Sequence, residues 1–455
     1  MSTTTPKPTL LFTAHPLTGH ITPLLRIASH LSKIYPIYFL APTSHRAAIT
    51  SNGLSFLPLL GRSDINDTLY YSPSAPPIPH YYSLSWQKRG CIDFQNLWID
   101  TIPDAWRSLV SALELLRDKE VVLVVEAMFW GVLPLFYGAD LPEGIRRPAS
   151  VGVSVTVPFV KCEGVPPAFV DSCGNGEGFG DAEWERGWEV WDRCTAHLRD
   201  SLKQTLKEVG CVTELEGEFL SGQNYWGHEK ALQLGVEGMF RPRKWSDKLR
   251  FVGVLPVKNE PEGGWKVPDW WEDVKGERKV VVVAQGTVEV DPEDLILPTL
   301  RGLDGRDDVL VVAILGRRGA TLPGDFSVPA NARIADYLSY EAVLPWAHVW
   351  VHNGGYGAVQ HGIAHGVPMV VAGEGQDKTE NAKLVEFSGA GLNLGRVPPS
   401  TEQVRQAVDA VLDGVKFRAR AKELSEESAE QGCFEAIESE ILTVWRRRSN
   451  ANPSP

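Results

Sequence analysis

Short apolar runs recur along the chain, each set off from the next by a helix-length stretch of mixed residues. In the second half they are VVVVAQGTVEV at 280–290, DVLVVAI at 308–314, HVWVHNGGYGAVQHGIAHG at 348–366 and PMVVAGEGQDKTENA at 368–382. Runs this rich in Val and Ile read as parallel strands buried on both faces. In the first half the same reading gives strands at 9–14, 37–41, 119–126 and 149–157. Between the first two, Leu24, Ile27, Ala28 and Leu31 recur at helical spacing, and Pro23 fits the first turn of that helix, where its missing N–H is not needed. Strand, helix and strand make one β-α-β unit. The alternation places the chain in the α/β class, with an open sheet whose ligands sit at the carboxyl ends of the strands.

Elsewhere the pattern is looser. Residues 60–104 are rich in Tyr, Ser and Pro and read as a long excursion with a helical piece from about 84. Trp184, Trp188 and Trp191 mark one face of a helix and read as core or domain packing. Short strands are expected at 211–215 and 236–240, and amphipathic helices at 401–412 and 416–447. A polar run at 258–266, with Pro261, Gly263 and Gly264, puts a domain boundary within 242–268. The chain divides there into residues 1–245 and 246–430, with 431–455 as a terminal helix and tail.

Length agrees with that division, since 455 residues exceed the usual single domain. A hydrophobic share of 43% with 22% charged residues suits a globular soluble protein. The net charge of −12 argues against a nucleic-acid surface, and Arg446-Arg447-Arg448 is a short basic cluster near a helix end. Cys91, Cys162, Cys173, Cys194, Cys211 and Cys433 have no C-x-x-C spacing and read as free thiols of a reducing, cytoplasmic compartment. No signal-like stretch opens the sequence. The apolar region 121–137 is interrupted by Glu126, Gly131 and Pro134, so no membrane span is expected.

The candidate chemistry lies at strand ends. His352-Asn353-Gly354-Gly355-Tyr356-Gly357 leads into a helix carrying Gln360 and His361; such a turn can hold a diphosphate or be an ordinary tight turn. One strand later comes Glu374-Gly375-Gln376-Asp377-Lys378-Thr379-Glu380-Asn381, whose charged groups can bond sugar hydroxyls or face solvent. Gln285-Gly286-Thr287 follows the 280–284 strand, where Thr287 can donate a hydroxyl or cap a helix. In the first half, His20 follows the 9–14 strand and is either a proton acceptor or a loop histidine satisfying the backbone. Glu126 ends the 119–126 strand and can fix the other nitrogen of such a base, or be a surface carboxylate or an acceptor-binding group. His361 and His365 lie one helical turn apart, but no Glu or third ligand accompanies them in sequence, so no metal is expected.

The residues 337–344 (YLSYEAVL), His352 to Gly357, Gln360, Gly366-Val367-Pro368, Asp377-Lys378 and Asn381-Ala382 resemble the donor-binding motif of the family 1 nucleotide-sugar glycosyltransferases, most closely the microbial, macrolide-type members. The resemblance implies a GT-B fold, two Rossmann-like domains facing across a cleft. The acceptor would bind residues 1–245, the donor 246–430, and the helix in 431–455 would cross back to the first domain. It implies that Gly19-His20, with Pro23 beyond, contains the catalytic base, and that Glu126, where many relatives have Asp, orients it. Tyr337 stands where Trp stacks on the base, Tyr340 where Gln is common, and Gln360 where Glu holds the ribose.

In the same resemblance His352 holds the diphosphate, and Gly354, Gly355, Tyr356 and Gly357 form its turn, Gly357 supplying an N–H. Gln285, Gly286 and Thr287 approach the same group, and Asp377-Lys378 replaces Asp-Gln at the sugar. Tyr82, Phe129, Trp130 and Phe159 are acceptor-side candidates. The implied reaction is inverting transfer of a hexose, glucose from UDP-glucose, to a hydroxyl of an apolar phenolic, polyketide or terpenoid molecule. The UDP-sugar is the donor substrate, no cofactor or metal is required, and the protein is a monomer or weak dimer. The alternatives are a non-catalytic nucleotide-sugar binding protein and a UDP-GlcNAc epimerase-like GT-B enzyme. A nicotinamide or flavin enzyme is disfavoured because residues 10–40 lack G-x-G-x-x-G.

Overall fold

Strand β1, Thr9–Thr13, is buried at every residue, with Leu10, Leu11 and Phe12 wholly inaccessible. It is an inner strand of a parallel sheet whose other strands are β2 (Ile37–Ala41), β3 (Ser55–Pro58), β4 (Val121–Glu126), β5 (Ala149–Ser154), β6 (Lys230–Gln233) and β7 (Leu249–Phe251). Their order is β3-β2-β1-β4-β5-β6-β7. A second parallel sheet, ordered β10-β9-β8-β11-β12-β13, is built from β8 (Lys279–Ala284), β9 (Val309–Ile314), β10 (Ala332–Ala335), β11 (Ala347–His352), β12 (Met369–Val371) and β13 (Gly391–Asn393). The computed structural model describes residues 7–72, 74–170, 181–258, 266–286 and 291–451. Cys173 and the glycines after it, Pro261, Gly263, Gly264 and Thr287 lie outside them.

The chain forms two units, one comprising 1–234, 243–251 and 434–455, the other 235–242 and 252–433. In the first, helix α1 (Thr18–Leu31) follows β1 and buries Ile21, Leu24, Ile27, Ala28 and Leu31. Each of the leucines and isoleucines contributes about 1.5–3 kcal/mol on burial. Helix α2 (Trp86–Asp93) runs through a π-helical turn at Phe94–Ile99 toward α3 (Ile102–Leu115), and α4 (Trp184–Glu208) buries Trp188 and Trp191. The second unit adds α5 (Ile296–Gly302), α6 (Tyr340–Val343), α7 (Tyr356–Ala364), α8 (Lys378–Ser388), α9 (Thr401–Asp413) and α10 (Val415–Gln431). Val281, Val283, Val311, Val349 and Val370 from its sheet and Leu297, Val404 and Val408 from α5 and α9 fill one core cluster. Ser400 and Gln403 close a capping box at the start of α9.

The terminal helix α11 (Cys433–Ala451) packs on the first unit through a Tyr35 hydroxyl donating to Glu438 (2.6 Å), a His30–Phe434 ring stack (4.1 Å) and Trp445 Nε1–H donating to Glu120 (2.8 Å). Gly432, at φ 58, separates it from α10, so the run expected at 416–447 is two helices. Only glycine takes that left-handed turn without strain.

Three further expectations change. Helix α1 begins at Thr18, which puts Pro23 inside it rather than in its first turn. Proline cannot donate to the Gly19 carbonyl, but Gly19 is exposed and water can serve instead. Residues 211–215 and 236–240 are not strands; that part of the sheet is Lys230–Gln233, and Glu237–Met239 is a 3₁₀ turn. The strand read at 149–157 stops at Ser154. Among the described residues no helix is long and apolar enough to cross a membrane, and Cys91, Cys162, Cys194, Cys211 and Cys433 are unbridged.

Candidate functional site

In each sheet the strand order reverses beside the first strand of its unit, between β1 and β4 and between β8 and β11. Crossovers on either side of such a point leave opposite faces of the sheet, so a crevice opens outside the carboxyl ends of the two strands. His20 and Glu126 lie at the first of these points, and Gln285, Gly286 and the 352–357 turn at the second.

In the first unit, β1 ends at Thr13 and α1 begins at Thr18, so His20 stands in the first turn of the helix. The helix has no side-chain cap of its own; the Asp67 carboxylate accepts from the Thr18 N–H at 2.7 Å instead. Glu126 is the last residue of β4 and is 0% exposed. Its Oε2 lies 3.0 Å from His20 Nδ1. The same carboxylate accepts the His15 N–H at 3.3 Å and the Met128 N–H at 3.0 Å, which fixes it in place. His20 and Glu126 are thus brought together by adjacent parallel strands whose residues are far apart in sequence.

His15 lies between β1 and α1, ahead of His20. Its ring stacks on Trp98 at 4.0 Å and meets the His20 ring edge-on at 5.5 Å. Burial, and then the charge of His20, hold its pKa well below the ordinary histidine value, so it is a neutral wall. From Trp98 the aromatic contacts continue to Phe94 (5.0 Å) and on to Trp130 (6.2 Å) and Phe219 (5.3 Å). Of the acceptor-side candidates, Trp130 belongs to this chain of rings. Phe129 lies in the core cluster with Leu109 and Val125. Phe159 is buried against Phe169 at 5.3 Å, and Tyr82 is 43% exposed, donating its hydroxyl to the Tyr71 carbonyl at 2.6 Å. A recess of about 730 Å³ lined by Leu60, Trp106 and Leu141 holds none of the candidates.

In the second unit the β8 and β11 ends are tied together. Gln285 is buried, donates its amide to the Asp291 carbonyl at 2.7 Å, and accepts the Ile296 N–H at 3.0 Å, so its side chain ties the end of β8 to Asp291 and to the start of α5. The Asn353 amide donates to the Gln285 carbonyl. Gly354 has φ 84, and a Cβ there would stand 2.8 Å from the Lys378 carbonyl oxygen, so both conformation and space require glycine. Asn381, fully buried on α8, donates to the Gly354 carbonyl at 2.7 Å. These contacts lock the turn, and the sequence singles out neither Asn353 nor Asn381 for that task.

His352 is 1% exposed, lies against Trp350, and accepts the Gly354 N–H on Nδ1 at 3.0 Å, which assigns its proton to Nε2. Burial pushes its pKa down to about 3, so the ring is neutral. Gly355 is the N-cap of α7, and a Cβ on Gly357 would meet open space. Tyr356 is buried with its hydroxyl against Gly235.

The Arg318 guanidinium lies 4.4 Å from the Tyr337 ring centre. Tyr340 packs edge-on against Trp350 at 5.0 Å and His361 at 5.3 Å, while Gln360 is half-buried on α7. Asp377 is the N-cap of α8, and Lys378 is buried with Nζ donating to Gln376 at 3.1 Å. Gln376 itself holds a positive φ of 49, a strained conformation of the kind that clusters at ligand sites. His361 and His365 have a neighbour the sequence does not reveal: Glu341 Oε2 lies 3.2 Å from His365 Nε2.

Residues 300–443 match the family described as Erythromycin biosynthesis protein CIII-like, C-terminal domain. The chain is 36% identical over 442 residues to UDP-glucosyltransferase 1 of Beauveria bassiana, covering 94% of each. It is 32% identical over 448 residues to UDP-glycosyltransferase 2 of Phaeomoniella chlamydospora, covering 94% of this chain and 93% of that one. Among solved structures it resembles the glycosyltransferase of kitacinnamycin, with a TM-score of 0.71 at 19% identity over 97% of this chain and 100% of that one. It also resembles the calicheamicin glycosyltransferase CalG4, with a TM-score of 0.65 at 16% identity over 98% and 100%. At such identities the structural likeness speaks for the fold, two Rossmann-like domains of the GT-B class. The sequence likeness to the Beauveria bassiana and Phaeomoniella chlamydospora proteins, at 36% and 32% identity over nearly their whole length, carries the assignment further: the chain belongs to the GT-B glycosyltransferase family, among the relatives of the UDP-dependent and natural-product glycosyltransferases.

Proposed function

We propose that this chain transfers glucose from UDP-glucose to a hydroxyl of an apolar small molecule, with inversion at the anomeric carbon. The observation that carries the reading is the 3.0 Å approach of His20 Nδ1 to the buried Glu126 carboxylate at the strand-order reversal of the first sheet. A carboxylate on Nδ1 sets the tautomer in which Nε2 accepts a proton, and it stabilises the imidazolium that results. The acceptor oxygen attacks the anomeric carbon as His20 takes its proton; the bond from that carbon to the diphosphate oxygen breaks, and UDP departs. Glu126 touches no substrate and acts by positioning His20.

The donor is assigned to the second unit. The backbone N–H groups of residues 355–357, together with His352, whose Nε2 bears a hydrogen, take the growing charge on the diphosphate. Tyr337 and Tyr340 are assigned to the base, Gln360 to the ribose, and Asp377 and Lys378 to the sugar, with Gln285, Gly286 and Thr287 beside the phosphates. The relatives named for UDP-glucose transfer support glucose and uridine, and the aromatic chain from Trp98 to Trp130 supports an apolar, ring-containing acceptor. A microbial natural-product role in the cytoplasm belongs to the same reading.

Purified protein is incubated with UDP-glucose, UDP-GlcNAc or dTDP-glucose and a panel of phenolic, polyketide and terpenoid acceptors, and acceptor mass is read by mass spectrometry. A hexose gain from UDP-glucose, β-linked by NMR, is expected. UDP release with no change in any acceptor rejects transfer in favour of an epimerase-like activity, and an α-linked product rejects inversion. His20→Ala is expected to lose the product while retaining UDP binding; wild-type turnover in that variant rejects His20 as the base.

A further inference from the structure

We propose that Glu341, His361 and His365 form a binding site for a divalent transition metal, with zinc the best-suited ion. His361 lies on α7 and His365 caps its end, so the two imidazoles share one face of the helix a single turn apart. Their rings are nearly parallel, at 14°, with centres 6.3 Å apart. Glu341 comes from α6, on the other side of β11 in the chain, and one donor atom from each of the three residues falls within 4.8 Å of the others.

The spacing and the donors fit a metal. Zinc bonds of about 2.0–2.1 Å at tetrahedral angles place neighbouring donor atoms roughly 3.3–3.4 Å apart. The Glu341 Oε2 to His365 Nε2 separation is 3.2 Å, already close to such an edge. The His361 donor atom lies within 4.8 Å of the other two and closes on them as the ion binds. Two imidazoles and one carboxylate suit zinc and its neighbours in the first transition row and are poor ligands for magnesium or calcium, which take oxygen donors. Three protein ligands leave a fourth position for water or another small ligand.

The His365 and Glu341 side chains are only 3% and 6% exposed, so solvent competes little for them. A metal held there would pin α6 to α7. Tyr340 precedes Glu341 and rests against the His361 ring, so the metal would also fix that ring. The site stands independently of the glycosyl transfer proposed above, and its ligands are outside the residues assigned to that reaction.

The test uses full-length protein treated with chelator and desalted. Zinc is titrated in competition with a chromogenic chelator, and cobalt is added separately to read its visible d–d bands. One equivalent of zinc and the strong bands of a four-coordinate cobalt site are expected for the wild type, and equally for His197→Ala, which alters an exposed histidine elsewhere. Glu341→Gln, His361→Ala and His365→Ala are each expected to weaken zinc on the order of a hundredfold, at least the cost of losing an outer-shell partner. Wild-type zinc affinity in any of the three overturns the site, as does a six-coordinate cobalt spectrum in the wild type. Circular dichroism identifies a variant that fails to fold; the wild-type cobalt spectrum and the conservative Glu341→Gln then decide.

Discussion

Replacing Glu126 by Gln changes charge and one acceptor atom while preserving shape. The two carboxylate oxygens serve the His15 and Met128 N–H groups and face His20 Nδ1. A glutamine has a single acceptor oxygen, so its NH₂ must confront at least one of these donors. A buried donor left in that position costs about 1–3 kcal/mol of stability. Catalysis loses the partner of the imidazolium. Two unit charges 4 Å apart attract by about 4 kcal/mol at an effective dielectric of 20, and at about 1.36 kcal/mol per decade the ceiling is about a thousandfold in kcat. With Glu126 fully buried and the His20 side chain 14% exposed, solvent screens little of this.

The expected result is therefore a kcat loss on the order of a hundredfold to a thousandfold, with KM for UDP-glucose changed by less than about twofold. Initial rates of acceptor glucosylation give kcat and KM, and differential scanning fluorimetry gives Tm. Glu126→Asp retains the charge and is expected to recover part of the lost rate. A Gln variant that folds and keeps kcat within about threefold refutes the positioning argument. So does an Asp variant no better than Gln at equal Tm.

Gly354→Ala is expected to lower Tm and weaken UDP binding by calorimetry, because a positive φ costs a non-glycine residue about 1–2 kcal/mol and the new Cβ meets the Lys378 carbonyl; wild-type values for both would show that the turn tolerates a side chain. Asn381→Ala removes the donor to the Gly354 carbonyl and is expected to cost about 1–3 kcal/mol in urea unfolding, an unchanged midpoint counting against the locked turn. Burial pushes the Asp93 carboxyl up to about 6 although the Tyr81 and Tyr70 hydroxyls donate to it. Its folded pKa lies above its unfolded one, so the stability it contributes is full below about pH 4 and is lost as pH rises through about 6. Asp93→Asn should flatten that difference in Tm, and a parallel pH dependence in both proteins would contradict it. His352 is expected to remain neutral, with its proton on Nε2, by imidazole NMR from pH 5 to 8. Protonation within that window would mean that burial does not dominate its environment.

The strands rich in Val were legible because their signal is local. Every residue of 280–284 is apolar and four of the five are valine, and a run that short and that rich in β-branched side chains reads as a strand buried in a sheet. Lys230–Gln233 carries no such signal: it has two polar residues in four, and becomes a strand because β5 and β7 pair with it on either side. The break at Gly432 was missed because the apolar spacing continues past it, although the glycine itself marked the place. The α/β class and the strand-end positions of His20, Glu126 and the 352–357 turn are thus properties of the sequence alone. Which strand lies beside which is not. That order sets the carboxylate of Glu126 against His20 and closes Asn353 onto Gln285, and the return of the chain through β11 brings Glu341 to His365. Periodicity reports how each segment meets a core, whereas contacts between distant segments depend on how the crossovers stack those segments, and only the tertiary structure decides that.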